Sequence, residues 1–175
     1  TLTGMIRDQL ATRGELSAKK LQFAALEAKG MTRAEAREAA SYAIGDVVRF
    51  SRDYTAKAVR RGETLSIVDI DPDRGRIALA GRDGRSIDWH PRQWGAGKAE
   101  VFEAKPMELR TGDRVQFTRN DRDAGRINGL GGTVTGIDPA TSQATLKLAN
   151  GREQRLDLSD PRDTHLRHAY VQTAH

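Results

Sequence analysis

Gly45-Asp46-Val47-Val48-Arg49-Phe50-Ser51-Arg52-Asp53 returns 67 positions later as Gly112-Asp113-Arg114-Val115-Gln116-Phe117-Thr118-Arg119-Asn120. The same slide, with no gap, carries Ile70-Asp71-Pro72 onto Ile137-Asp138-Pro139 and Gly84-Arg85 onto Gly151-Arg152. Gly62 also meets Gly129 and Leu79 meets Leu146, so the 45 pairs that start at Gly45 and end at Trp89 hold 12 identities. Chance gives about three, and the stretch is therefore two copies of one supersecondary unit. Two copies are too few for a solenoid; they predict twin small domains.

Each copy has the grammar of a compact antiparallel β unit. After the Gly-Asp turn, Val48 and Phe50, or Val115 and Phe117, alternate with polar residues and so share one buried face of a strand. A long polar loop follows, then a second strand over 64–70 or 133–137 that runs into Asp-Pro, where the missing proline amide ends pairing. A third strand (76–80 or 144–148) meets Asp83-Gly84 or Asn150-Gly151, a hairpin signal because both turn positions tolerate positive φ. The fourth strand covers 86–89 or 153–158. Four short strands of this kind predict a small SH3-like or KOW-like antiparallel barrel in each copy.

Working outward, residues 1–29 read as helix, with Leu2, Met5, Ile6 and Leu10 at helical spacing, a break at Gly14, and a second run over 16–28. Thr32 and Glu35 form a capping-box pattern that starts a further helix over 33–42. Between the copies, 90–97 is rich in breakers and carries Trp94, 99–104 offers a strand, and Pro106 marks the boundary before a turn over 107–111. The expected fold class is α+β, mainly β: helices over 1–43, barrels over 44–105 and 106–161, and a tail over 162–175.

A chain of 175 residues can bury roughly 70% of its unfolded surface, but 37% hydrophobic and 30% charged residues point to small, separate cores. No cysteine is present, which excludes disulfides and thiolate metal sites. The four histidines lack metal-ligand spacing. No apolar run approaches 18 residues and no signal-peptide pattern is present, which predicts a soluble, cytoplasmic protein with no membrane partner. Because the sequence opens on Thr1, a piece of a larger protein is expected.

Catalysis needs convergent groups, and none can be assembled. There is no Gly-x-x-x-x-Gly-Lys-Ser/Thr loop, and Gly129, Gly131 and Gly132 precede a strand, not a helix that would aim free amides at phosphate. Asp71 and Asp73 flank a proline turn, where a turn role outweighs acid–base work. The fragment is therefore expected to be no enzyme and to hold no cofactor.

Binding is better supported. The net charge of +5 is unevenly spread: 49–61 holds Arg49, Arg52, Lys57, Arg60 and Arg61 against Asp53. The matching window, 114–126, holds Arg114, Arg119, Arg122 and Arg126 against Asp121 and Asp123, with Asn120 between. Cations thus collect after the first strand of each copy, where they can form a phosphate-attracting rim. A merely solvated loop accounts equally for either window alone. Arg52 and Arg119 share one repeat position at a strand end, where a guanidinium can grip phosphate bidentately. Tyr54 and Trp94 are candidates for stacking unpaired bases, whereas Trp89 aligns with Leu156 and reads as core.

Three groups of residues resemble a known family: Tyr42 with Gly45-Asp46-Val47-Val48-Arg49-Phe50; Gly112-Asp113-Arg114-Val115 with Phe117-Thr118-Arg119-Asn120-Asp121 and Asn128-Gly129; and His168-Ala169-Tyr170 with Thr173 and His175. They are similar to the helicase portion of conjugative relaxase-helicases, whose RecD-like superfamily 1 motor carries small barrel insertions named 2B and 2B-like. The resemblance covers essentially the whole chain. It implies a parent that nicks plasmid DNA with one domain and unwinds it with another, using ATP and Mg. The insertion is implied to contact single-stranded DNA and, in some members, to carry a translocation signal read by a type IV secretion coupling protein. The alternative is a protein-interaction or spacer module with no nucleic-acid contact.

Overall fold

The computed structural model describes residues 19–169. The chain is mainly β and divides into two units, one holding described residues 19–25 and 105–169, the other residues 26–104. The changeovers fall inside two strands, β1 (Leu21–Ala28) and β6 (Ala99–Leu109).

In the unit of residues 26–104, β2 (Val47–Phe50), β3 (Thr64–Asp71), β4 (Arg76–Gly81) and β5 (Ser86–Trp89) follow in order. The sheet order is β1-β6-β2-β3-β4-β5, and the pairings of β2 to β5 and of β2 with β6 are antiparallel. Val48, Phe50, Leu65, Ile67, Ile77, Leu79, Ile87 and Trp89 meet in one core. Period-2 alternation in β4 and β5 delivers that inward set. β2 differs, being buried at all four positions, because Val47 packs with Leu26 and Phe102 on its other face.

In the other unit, β7 (Arg114–Phe117), β8 (Gly131–Asp138), β9 (Gln143–Leu148), β10 (Glu153–Asp157) and β11 (Leu166–His168) form a sheet of order β10-β9-β8-β7-β11. Val115, Phe117, Val134, Leu146, Leu148 and Leu156 fill its core, joined by Leu21 of β1 and Leu109 of β6.

The two halves agree beyond their strand starts. Each carries a β-bulge at the same place, between Ile67 and Asp69 and between Val134 and Gly136. The extra residue reverses the alternation, so that Ile70 and Ile137 still pack inward at odd spacing from Ile67 and Val134. The shared Gly-Asp is a turn device. Asp46 accepts from the amide of Ala43 at 2.9 Å and Asp113 from that of Arg110 at 2.8 Å, while Gly45 and Gly112 supply φ near 97° (96° and 98°). The repeat also reaches one strand further than the sequence identities. Phe50 pairs with Ala99 of β6 as Phe117 pairs with Leu166 of β11, and Ser51 donates to the Lys98 carbonyl as Thr118 donates to that of His165.

Four expectations are corrected. Residues 21–28 are strand, not helix, and 19, 20 and 29 are not helical either; residues 1–18 of the expected helical run lie outside the described residues. The helix expected over 33–42 shrinks to α1 (Arg33–Ala36), with its Thr32–Glu35 capping box formed, and a 3-10 turn over Ala39–Ser41. The turn expected over 107–111 is strand as far as Leu109, since β6 runs through Pro106 and pairs with β2 only over 99–102. Finally, both sheets are open-ended in their hydrogen bonding, where closed barrels were expected. Of the tail, 162–169 contributes β11, and Tyr170, Thr173 and His175 lie outside the described residues. No helix among the described residues is long and apolar enough to cross a membrane.

Candidate nucleic-acid interface

The loop 51–63, between β2 and β3, brings Arg52, Tyr54, Lys57 and Trp94 together around Phe50. Phe50 ends β2 and is fully buried. Trp94 stacks on it, with ring centroids 5.5 Å apart and planes at 25°. Tyr54 meets Phe50 edge-on at 5.6 Å and lies 5.0 Å from Trp94. Trp89 sits behind, edge-on to Phe50 at 5.2 Å, and the buried Tyr42 meets Trp89 at 5.3 Å. These are the offset and T-shaped geometries that aromatic quadrupoles favour.

Backbone bonds fix the two half-exposed rings. The indole N–H of Trp89 donates to the carbonyl of Trp94 at 2.8 Å, and the amide of Trp94 donates to the His90 carbonyl at 3.2 Å. Gly95 then turns at φ 80°, and a Cβ there would fall 2.8 Å from the Phe50 ring. Only glycine permits that approach. Tyr54 is held by a paired bridge to Val59, its amide donating at 2.9 Å and its carbonyl accepting at 3.2 Å.

Over these rings lie cations. The Arg52 guanidinium is 5.2 Å from the Tyr54 ring centre and the Lys57 ammonium 5.8 Å from that of Trp94. Both side chains are exposed, as are Arg60 and Arg61 further along the loop. Such contacts hold the long side chains beside the rings without neutralising them, so their charge stays available to phosphate. Asp53 accepts from the amide of Arg61 at 2.7 Å and pins the loop ends. Arg85, one of the repeat identities, braces the loop: it donates to the carbonyl of Ala58 and to Glu63, and pairs with Asp83 at 2.7 Å. Its identity with Arg152 at the repeat position is the signal by which the sequence marks it.

Other sequence candidates sit elsewhere. Arg49 is only 8% exposed; it donates to the Thr64 hydroxyl at 3.3 Å and lies 5.3 Å over the Phe102 ring. In the other unit, Arg114 and Arg122 are exposed and Arg119 is half-buried. Asn120 accepts from the amide of Asn128 at 2.7 Å and pins its loop as Asp53 does. Arg126 is 7% exposed, ion-paired with Asp163 at 2.8 Å, bonded to Gln154 at 2.8 Å and set 5.2 Å over the Phe117 ring. Among the described residues, no group of three or more His, Cys, Asp or Glu side chains converges to hold a metal ion.

The rings and cations of the loop 51–63 set a chemistry with which known proteins can be compared. The chain is similar to the multifunctional conjugation protein TraI of Escherichia coli. It is 26% identical to one such protein over 176 residues, covering 99% of the chain. To TraI of Escherichia coli strain K12 it is 31% identical over 114 residues, covering 62% of the chain. It spans 9% and 6% of the lengths of these two relatives. No protein-family model matches. The similarity to TraI thus runs along both units of this chain, while most of TraI has no counterpart in it.

Proposed function

We propose that the chain is the accessory 2B/2B-like region of a RecD-like conjugative relaxase-helicase and that it engages single-stranded DNA through the loop 51–63. The observation that carries this reading is the placement of Arg52 and Lys57 over the half-exposed rings of Tyr54 and Trp94. Aromatic faces accept any unpaired base, and neighbouring cations neutralise the strand's phosphates. Similarity to a conjugation protein supplies the biological setting. In that setting the nicking chemistry and the ATP- and Mg-dependent motor belong to other parts of the parent protein, and the region itself works in the cytoplasm as a grip.

Fluorescence anisotropy with a labelled single-stranded oligonucleotide tests it. Affinity should fall steeply with salt, and Arg52→Ala or Lys57→Ala should each lower the log–log salt slope by about 0.7. Affinity indifferent to salt would sink the reading.

The alternative is a protein-interaction module, including a translocation signal read by a type IV secretion coupling protein. It is favoured by Ile127, which is 65% exposed in the loop 118–130. Capture of a purified coupling protein by a chain that shifts no oligonucleotide would establish it.

A further inference from the structure

We propose that the two halves have divided their labour, so that unpaired bases stack only in the first half, on Tyr54 and Trp94. The loop 118–130 of the second half is committed to folding and takes no base. This inference rests on the single-strand reading above and specifies its ligand: a strand with free base faces, bound without sequence preference.

The observations come from comparing equivalent positions. Asp121 stands where Tyr54 does, Pro161 where Trp94 does and Leu156 where Trp89 does. The cations Lys57, Arg60 and Arg61 become Ala124, Ile127 and Asn128, and only Arg52 keeps its counterpart, Arg119. The buried phenylalanine is common to both halves but carries different loads. Phe50 supports Trp94 and Tyr54, whereas Phe117 supports the guanidinium of Arg126, which fills the slot of the buried Val59. Three groups satisfy that guanidinium: Asp163, Gln154 and the carbonyl of Arg162 at 3.2 Å. A cation so enclosed, with each of its three nitrogens bonded and only 7% of the residue exposed, is a fold element closed to a strand in solution.

The first half keeps the opposite balance. Trp94 stacks on Phe50 and has Tyr54 tilted against it at 5.0 Å, yet its ring stays half-exposed with the ammonium of the exposed Lys57 5.8 Å from its centre. A base can take the exposed part of that ring while the ammonium moves to the adjacent phosphate. Duplex DNA keeps its bases stacked internally and offers no such face, so it gains only the charge contribution.

The test is to compare, at one salt concentration, an oligothymidine of twelve nucleotides with an abasic strand of equal length and charge, using the full chain. Stacking of one base makes the thymidine strand bind roughly tenfold tighter. Trp94→Phe should keep that ratio and Trp94→Ala should collapse it towards one. The pair Arg119→Ala and Arg122→Ala should leave it unchanged. Should Trp94→Ala fail to fold, tryptophan emission decides. Saturating oligothymidine should quench the wild type, and Trp94→Phe should remove the quenching while still binding. A wild-type ratio near one with binding intact overturns the inference and spares the single-strand reading. A ratio altered by the Arg119 and Arg122 changes overturns it in the same way. Binding of neither strand overturns both.

Discussion

Ala58 and Gly125 hold the same place in the two halves, and both put the backbone in the left-handed region, at φ 58° and 71°. The loop geometry therefore dictates the conformation and the residue merely complies. Glycine does so without strain; alanine brings its Cβ against the following carbonyl. Ala58→Gly should accordingly stabilise the chain by about 0.5–1 kcal/mol after the entropy glycine gains on unfolding is deducted. Gly125→Ala should destabilise by about 1 kcal/mol, since its Cβ would also lie 3.1 Å from the Arg152 guanidinium. Urea midpoints of the two variants moving in the same direction would refute the shared geometry.

Gly95→Ala should cost about 2–3 kcal/mol, the sum of a left-handed alanine and a Cβ driven into the Phe50 ring. Because the clash displaces the Trp94 segment, oligonucleotide affinity should fall with stability. Retention of full affinity in the folded variant would show that Trp94 is not held by this approach.

Asp163→Ala should destabilise by about 3 kcal/mol, because it leaves the guanidinium of Arg126 buried without its partner. Arg126→Val copies Val59 of the other half and removes the charge itself, so its cost should be about 1 kcal/mol. Equal losses in denaturant melts would mean that the charge pair is not the reason for either.

Burial first, and the Asp46 carboxylate second, hold the phenol of Tyr42 well above its ordinary value near 10. Above about pH 10 the unfolded chain sheds this proton while the folded chain keeps it. The contribution is thus complete below that pH and is lost as pH rises towards the folded value. Tyr42→Phe should remove this alkaline slope, at a cost of about 1 kcal/mol at neutral pH for the bond to the Ala36 carbonyl. Urea midpoints measured from about pH 8 to 11 check it; wild type and variant running parallel throughout would be the contrary result.

Strands β2 to β5 and β7 to β10 were legible because apolar residues recur at alternate positions in most of them and their turns carry Gly-Asp, Asp-Pro and Asp-Gly or Asn-Gly. The fifth strand of the repeat was not. Ala99, Glu100, Val101 and Phe102 align with Leu166, Arg167, His168 and Ala169 at the repeat offset with no identity, because the pairing of each strand with its own neighbour is made by backbone groups that every residue carries. β1 misled for a different reason. Leu21, Ala25 and Ala28 also fit a helical stripe, and the segment is rich in helix formers, so only its strand partner decides the matter. Arg49 and Arg126 show the limit of counting charges. Nothing local marks the second face of β2 as covered, but the apolar Val59 at the repeat position of Arg126 did mark an interior slot.

The constant offset between the halves makes them interchangeable parts. A segment transplanted from 52–58 onto 119–125 needs no insertion or trimming, and stopping before Arg126 keeps its enclosure by Asp163 and Gln154 intact. Trp94 would have to travel with it, to the place of Pro161. A chain so rebuilt would carry two grips in series, turning a single-point hold into a bivalent one whose avidity reports directly on the span separating them.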